Sequence, residues 1–142
     1  MSYIKSFSGQ YDFLSNFSQH PVWLEGEFYP TVENAYQAAK TLDYEYRRVF
    51  QDVTPGQAKR LGQKMPLRPN WNVWYRHSTM ATLLRSKFST SELRDRLVDT
   101  GPSLLIEGNQ WHDNTWGVCY CGRCKNGLNL LGVELMRLRN CL

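Results

Sequence analysis

A mainly helical α+β fold in a single domain follows from three features of this sequence. The chain has 142 residues with no internal repeat or linker-like tract, several stretches carry apolar residues at helical spacing, and two short aromatic-rich segments stand near its start. With 42% hydrophobic and 13% aromatic residues there is enough apolar material for one packed core. The domain is expected to run over residues 1–142, with a small antiparallel sheet beside the helices.

In chain order, Tyr3–Phe7 and Val22–Tyr29 are the aromatic-rich segments. The second carries Trp23 and Phe28 around Glu25-Gly26-Glu27 and reads as a hairpin. Thr31 is placed to cap a helix over 32–51, in which Val32, Tyr36 and Ala39 recur at helical spacing. Thr54-Pro55 opens a shorter helix that Pro66 and Pro69 bring to an end. Residues 70–87 carry Trp71, Trp74, Tyr75, Met80, Leu83 and Leu84 and predict a third helix. Ser91 caps a fourth, which stops at Gly101-Pro102. Leu104–Glu107 is an apolar run too short for a helix and suits a buried strand. After a polar, aromatic and cysteine-rich loop, apolar residues at 128, 131, 135 and 138 predict a last helix over 128–142.

The formal charge is +4 and the pI near 8.9, but the basic residues are scattered. That excess suits an anionic small molecule as well as nucleic acid and does not choose between them. The start of the chain lacks the apolar run of a signal peptide, and no stretch approaches the ~20 apolar residues that span a bilayer. Cys119, Cys121 and Cys124 fall within six residues, with Cys141 far from them. Thiols that close cannot all pair with distant partners, so a reducing compartment, the cytoplasm, is expected, with no membrane partner.

Glu33 and Lys40 stand seven residues apart, which on a helix returns both to nearly one face with Gln37 between them, about 10 Å apart along the axis. That span would flank a sugar-sized ligand. Glu33 lies in the first turn, where the helix dipole favours its ionised form, and an ionised carboxylate can stabilise an oxocarbenium-like transition state or activate water. The plainer alternative is that Glu33 only complements the dipole while Lys40 extends into solvent.

A second cluster, residues 107–117, packs two Trp, a His, two carboxylates and several amides into eleven residues. Such a loop can stack a base and orient a ribose, or it can be an ordered loop whose Trp side chains plug the core and whose Asp113 makes a turn. The third cluster is Cys119-Tyr120-Cys121-Gly122-Arg123-Cys124. Three thiolates with Cys141 or His112 would complete a tetrahedral zinc site, and buried free thiols are the alternative. His20 and His77 read as surface or packing residues. The Arg47-Arg48 and Lys59-Arg60 pairs read as solvated helix faces, with phosphate binding the other use of such residues.

Taken in order, the chain resembles the NADAR (YbiA-like) superfamily, whose members include riboflavin-intermediate N-glycosidases and enzymes acting on ADP-ribosylated guanine. The match runs through FLSNF at 13–17, YPTVENAYQAAK at 29–40 and AKRLG at 58–62. It continues through Trp71, Met80, KF at 87–88, TG at 100–101, DNTWG at 113–117 and GLNLLGVELMRLR at 127–139. One departure is VCYCGRCKN after the Trp116-Gly117 pair, where many relatives have a simple acidic-glycine turn. A cysteine-bearing insert of this kind resembles that of a subset of the family.

The resemblance implies an α+β fold and a hydrolase of N-glycosyl bonds, working without metal ligands in its chemistry and without a bound cofactor. Glu33 and Lys40 match the motif's glutamate and lysine and become catalytic candidates together with Asp113, which would hold ribose hydroxyls or the catalytic water. Lys40 would neutralise phosphate, or its amine would attack an opened ribose C1′ as a Schiff-base nucleophile. Asn16 and Phe17 would line the sugar or base pocket, with Gln37 beside them, and Trp71 and Trp116 would stack. Asn129 and Gly132 would bind phosphate through exposed backbone N–H groups at the start of the last helix. The expected partner is a phosphorylated ribosyl small molecule, as in early flavin synthesis, or ADP-ribosylated guanine in nucleic acid. Two other classes compete: a non-catalytic sensor of NAD or ADP-ribose, and a zinc-dependent nucleic-acid-binding module built on the cysteine loop.

Overall fold

Glu25 and Gly26 both adopt positive φ, 51° and 82°, and so close a two-residue turn whose twist matches the strands on either side. The computed structural model describes residues 1–142, and the turn joins β2 (Val22–Leu24) to β3 (Glu27–Tyr29) in the antiparallel hairpin that the sequence predicts. β1 (Tyr3–Ile4) is not part of that sheet. It pairs in parallel with β4 (Leu104–Leu105), Tyr3 opposite Leu104 and Ile4 opposite Leu105. A third short pairing, also parallel, joins β5 (Gly108–Asn109) to β6 (Val118–Cys119). The result is mainly helical α+β, with the antiparallel sheet confined to the hairpin. No helix is long and apolar enough to cross a membrane.

Contacts gather the chain into two units, Asn16–Lys87 and Met1–Ser15 with Phe88–Leu142. The first is built around α1 (Val32–Ala38), every residue of which is buried. Thr31 caps it as expected, its hydroxyl accepting from the Asn34 backbone N–H at 3.1 Å. The predicted helix over 32–51 is interrupted, however. α1 ends at Ala38, and α2 (Tyr44–Arg47) starts afresh behind Asp43, whose carboxylate accepts from the N–H groups of Glu45 and Tyr46. A 3₁₀ turn over Arg48–Gln51 follows. Asn34 enforces the fold-back, since its buried amide donates to the carbonyls of Phe50 and Val53, both at 2.8 Å.

α3 (Pro55–Lys64) opens with a capping box between Thr54 and Gln57 and with Pro55 at its first position. The helix predicted over 70–87 begins as a wide π-type turn, Trp71–Tyr75, and becomes regular in α4 (Arg76–Lys87). Arg47 is not on a solvated face. It is 2% exposed, donates to the Glu25 carboxylate at 3.0 Å and to the Thr41 carbonyl at 2.9 Å, and stacks over Tyr44. Burial would push the Glu25 carboxyl up, but the Tyr44 hydroxyl and the Arg47 guanidinium override it and hold Glu25 below the usual carboxylate range.

In the other unit a 3₁₀ turn over Gly9–Leu14 buries Phe13 and Leu14, and Phe13 meets Phe88 edge-on at 6.4 Å. α5 (Ser91–Val98) buries Leu93 and Leu97, and Thr90 rather than Ser91 occupies its cap position. α6 (Leu130–Asn140) buries Leu131 and Leu135, and Arg139 ties its far end to Thr100 and Ser103.

Candidate active site

α1 carries Glu33 and Gln37 one turn apart, so the two side chains lie on one face. Glu33 is 8% exposed, and the Gln37 amide donates to its carboxylate at 3.1 Å. A buried carboxylate needs such donors, because desolvation without them costs several kcal/mol, on the order of the unpaired-charge penalty. The Glu33 backbone N–H, one of the orphan donors at the helix start, goes to the Asn16 carbonyl at 3.0 Å. That bond fastens Asn16 to the N-terminus of α1. The Asn16 side chain donates to the Met80 sulfur at 3.6 Å, and its Oδ1 is buried with no donor from the protein. Gln37 Oε1 is in the same condition. Phe17, next in sequence, is 42% exposed.

Lys40 does not lie on the helix as the spacing predicts. It sits one residue beyond the helix cap, Ala39, in a turn where its N–H bonds the Gln37 carbonyl at 3.2 Å. The turn is held by the Arg68 N–H, which donates to the Lys40 carbonyl at 2.8 Å. The half-buried ammonium lies 5.7 Å from the Tyr36 ring centre. Burial pushes the Lys40 amine below the usual lysine range. The Glu33 carboxylate opposes this, and Lys59 adds to it.

The ligand-stacking role that the resemblance implies for Trp71 does not fit, since the ring is 2% exposed and lies against Tyr36 at 5.2 Å. It therefore supports the ring beside Lys40 from behind. Two residues of this unit escaped the reading of the sequence. A Cβ on Gly62 would run into the Gln37 side-chain amide, so the missing side chain lets α3 approach α1 and leaves Gln37 room to reach Glu33. Arg68 stacks its guanidinium on Tyr75 at 4.1 Å and keeps a buried Nε–H with no acceptor from the protein. The motif AKRLG contains Gly62, but nothing in the local pattern distinguishes a packing glycine from an ordinary helical one.

Asp113, Trp116, Asn129 and Gly132 belong to the other unit. Asp113 makes a turn, its Oδ1 accepting from the N–H groups of Thr115 and Trp116 at 3.1 and 2.9 Å. Trp116 is half-buried. The phosphate role expected of Asn129 and Gly132 does not fit. The N–H groups of Leu128, Asn129, Leu130 and Leu131 are taken by the carbonyls of Asn114, Gly117, Thr115 and Trp116, so the start of α6 offers no open row of donors. The Asn129 side chain bridges the Glu107 N–H and the Leu105 carbonyl, at 3.0 and 2.9 Å. A Cβ on Gly132 would collide with that same Leu105 carbonyl. Both residues dock α6 on the end of β4.

Cys119, Cys121 and Cys124 gather with His112, while Cys141 is exposed at the end of α6 and takes no part. Backbone N–H groups of Arg123 and Cys124 point at the Cys121 sulfur and hold its thiol down to about 6.

A sequence-family model described as the NADAR domain matches residues 2–142. The chain is 38% identical to the protein named N-glycosidase YbiA of Escherichia coli (strain K12), over 92% of this chain and 82% of that protein. It is 33% identical to the N-glycosidase Npun_R5314 of Nostoc punctiforme, over 91% of this chain and 84% of that one. It is 33% identical to the riboflavin biosynthesis protein PYRR, chloroplastic, of Zea mays over 89% of this chain and 22% of that protein. Among solved structures, the NMR structure of the Escherichia coli protein YbiA superposes with a TM-score of 0.85 at 36% identity, covering 99% of this chain and 84% of that one.

Proposed function

The chain belongs to the NADAR family and is, like its named relatives, a hydrolase of N-glycosyl bonds; from that premise we propose that it cuts the bond between a ribose C1′ and a nitrogen in a phosphorylated, nucleotide-like substrate. The observation that carries this reading is the buried Glu33 carboxylate, pinned by Gln37, with the half-buried Lys40 amine in its field. A solvated helix face would leave both charges in water. Here the carboxylate is desolvated and aimed, which is the condition for an effect on a developing oxocarbenium ion.

In the proposed reaction the C1′–N bond breaks, its electron pair leaves with the base, and the base nitrogen takes up a proton. Neutral Lys40 bonds to C1′ as the base departs and gives that proton to the base nitrogen. The C1′–O4′ bond then opens as the lysine nitrogen forms the C=N of a Schiff base and its second proton goes to O4′. Water deprotonated by Glu33 adds to C1′, the amine leaves with that proton, and the phosphorylated ribose or ADP-ribose is released. Desolvation favours this role because it enlarges the neutral fraction of the amine. The buried Oδ1 of Asn16 is an acceptor suited to a ribose hydroxyl, and the Arg68 Nε–H is a donor suited to phosphate.

Two substrates compete: the phosphoribosylamino pyrimidines of early flavin synthesis and ADP-ribosylated guanine. The name of the maize relative supports the first, at the level of the domain they share. The test offers both compounds to the wild type, Glu33→Gln and Lys40→Ala, and resolves products by mass spectrometry. Release of free base by the wild type and by neither variant is the expected result. Binding of ADP-ribose or NAD with no cleavage of either compound would replace this reading with that of a sensor.

A further inference from the structure

We propose that His112, Cys119, Cys121 and Cys124 form a structural zinc site. The one ligand atom that each contributes lies within 4.8 Å of all the others. A tetrahedral ion with Zn–S about 2.3 Å and Zn–N about 2.0–2.1 Å sets its sulfurs about 3.8 Å from one another and about 3.6 Å from the nitrogen. Here His112 Nδ1 stands 3.3 Å from the Cys124 sulfur and 3.6 Å from that of Cys119. Those two separations match a coordination shell, and the others fall within 4.8 Å.

The backbone around them is shaped for the same purpose. Gly122, at φ 90°, lets the chain turn inside Cys121–Cys124, so that the N–H groups of Arg123 and Cys124 both reach the Cys121 sulfur at 3.4 Å. Amide donors to sulfur are what a thiolate ligand uses to spread its charge. His112 is itself held in the left-handed region, φ 68°, a conformation that costs a non-glycine residue about 1–2 kcal/mol and persists only where its surroundings require it. The side-chain Oδ1 of Asn114 accepts from the Cys119 N–H at 3.1 Å, and the same side chain also bonds Cys124. The ligands thus come from β6, from the turn after it and from the loop before it. Three thiolates with one imidazole, gathered this closely, select zinc.

The full set of four ligands leaves no open position, so the ion would be structural, and no step of the hydrolysis runs through it. The inference is independent of the reaction proposed above.

The test is metal content of the full-length chain, purified without a metal-affinity tag from medium containing zinc and kept reduced. Mass spectrometry of the acid-digested protein is expected to find about one zinc per chain, the stoichiometry of a closed four-ligand site. Cys141→Ser should retain it, and Cys121→Ser and His112→Ala should lose it. Because those variants can fail to fold, the zinc-stripped wild type is also titrated with Co²⁺, where the ligand-field bands of a tetrahedral sulfur-rich site are expected. Wild-type protein with no stoichiometric metal and no such bands, or with iron or copper in place of zinc, overturns the proposal, as does loss of zinc from Cys141→Ser.

Discussion

Gln37 donates its side-chain amide to the carboxylate of Glu33 at 3.1 Å, one helical turn away, inside a helix that is buried on every side. The bond does for a glutamate in the protein interior what water does for one at the surface. Glu33→Gln, which keeps the shape and removes the charge, should lower kcat/KM by about 10²–10⁴-fold, the usual worth of a general base. Gln37→Ala should lower it by roughly 10–100-fold, corresponding to the loss of one hydrogen bond to a charged group. Steady-state kinetics on the cleaved substrate checks both. Full activity in Glu33→Gln would remove the carboxylate from the mechanism.

Lys40 brings a pH dependence with a definite sign. Its reactive form is the neutral amine, and burial lowers its pKa from 10.5. Activity through a Schiff base should therefore rise with pH to a plateau whose midpoint lies below 10.5. Lys59→Gln removes a cation that depresses the pKa, so the midpoint should move upward. Borohydride added during turnover should trap the ribosyl product, ribose phosphate or ADP-ribose according to the substrate, on the wild type and not on Lys40→Arg; an untrapped wild type would leave direct attack by water as the route. The same shift bears on stability. A folded-state pKa below the unfolded one favours the fold above the unfolded pKa, and that contribution is lost as pH falls through the folded value. At neutral pH the buried ammonium therefore opposes folding, and Lys40→Met should raise Tm.

Gly62 should tolerate no side chain. Gly62→Ala pushes a methyl group into the Gln37 amide, for which overpacking predicts a loss of about 1–3 kcal/mol, together with a fall in kcat as the Glu33 carboxylate loses its donor. Gly56→Ala, in the same helix, adds a Cβ whose nearest neighbour is the flexible end of Arg60 at 3.6 Å. It should be neutral or stabilising by up to about 1 kcal/mol. Thermal melts and kinetics of the two variants separate a positional requirement from a general helix effect.

Asn129 offers a choice between two roles. As a docking residue it holds the Glu107 N–H and the Leu105 carbonyl, so Asn129→Ala should lower stability by about 2 kcal/mol and leave KM unchanged in the protein that remains folded. As a phosphate ligand it would raise KM with Tm intact. The geometry predicts the first result.

These residues also show where sequence reading reaches and where it stops. The hairpin, Thr31 and the Thr54-Pro55 start are legible because their causes lie within four residues. The pairing of Glu33 with Gln37 follows in the same way from one helical turn. The end of α1 at Ala38 is not legible, since the residues beyond it keep a helical composition. What breaks the helix is Asn34 drawing in the carbonyls of Phe50 and Val53, a cause 16 and 19 residues away. Tyr3 pairing with Leu104 is hidden for the same reason. The start of α6 misleads differently: a helix N-terminus reads as an anion site, and no local signal reveals that carbonyls from 114–117 already fill it.

That row of carbonyls divides the loop's labour between main chain and side chains. Four peptide oxygens grip α6, and a peptide oxygen is the same whatever residue carries it. Thr115 enters this grip through its backbone, whereas Asp113, Asn114 and Gly117 are committed to it or to the adjoining turns by their side chains or by the lack of one. Position 115 thus joins the frame through its main chain, so a change of side chain there can alter the loop's surface while the frame that presents it stays put.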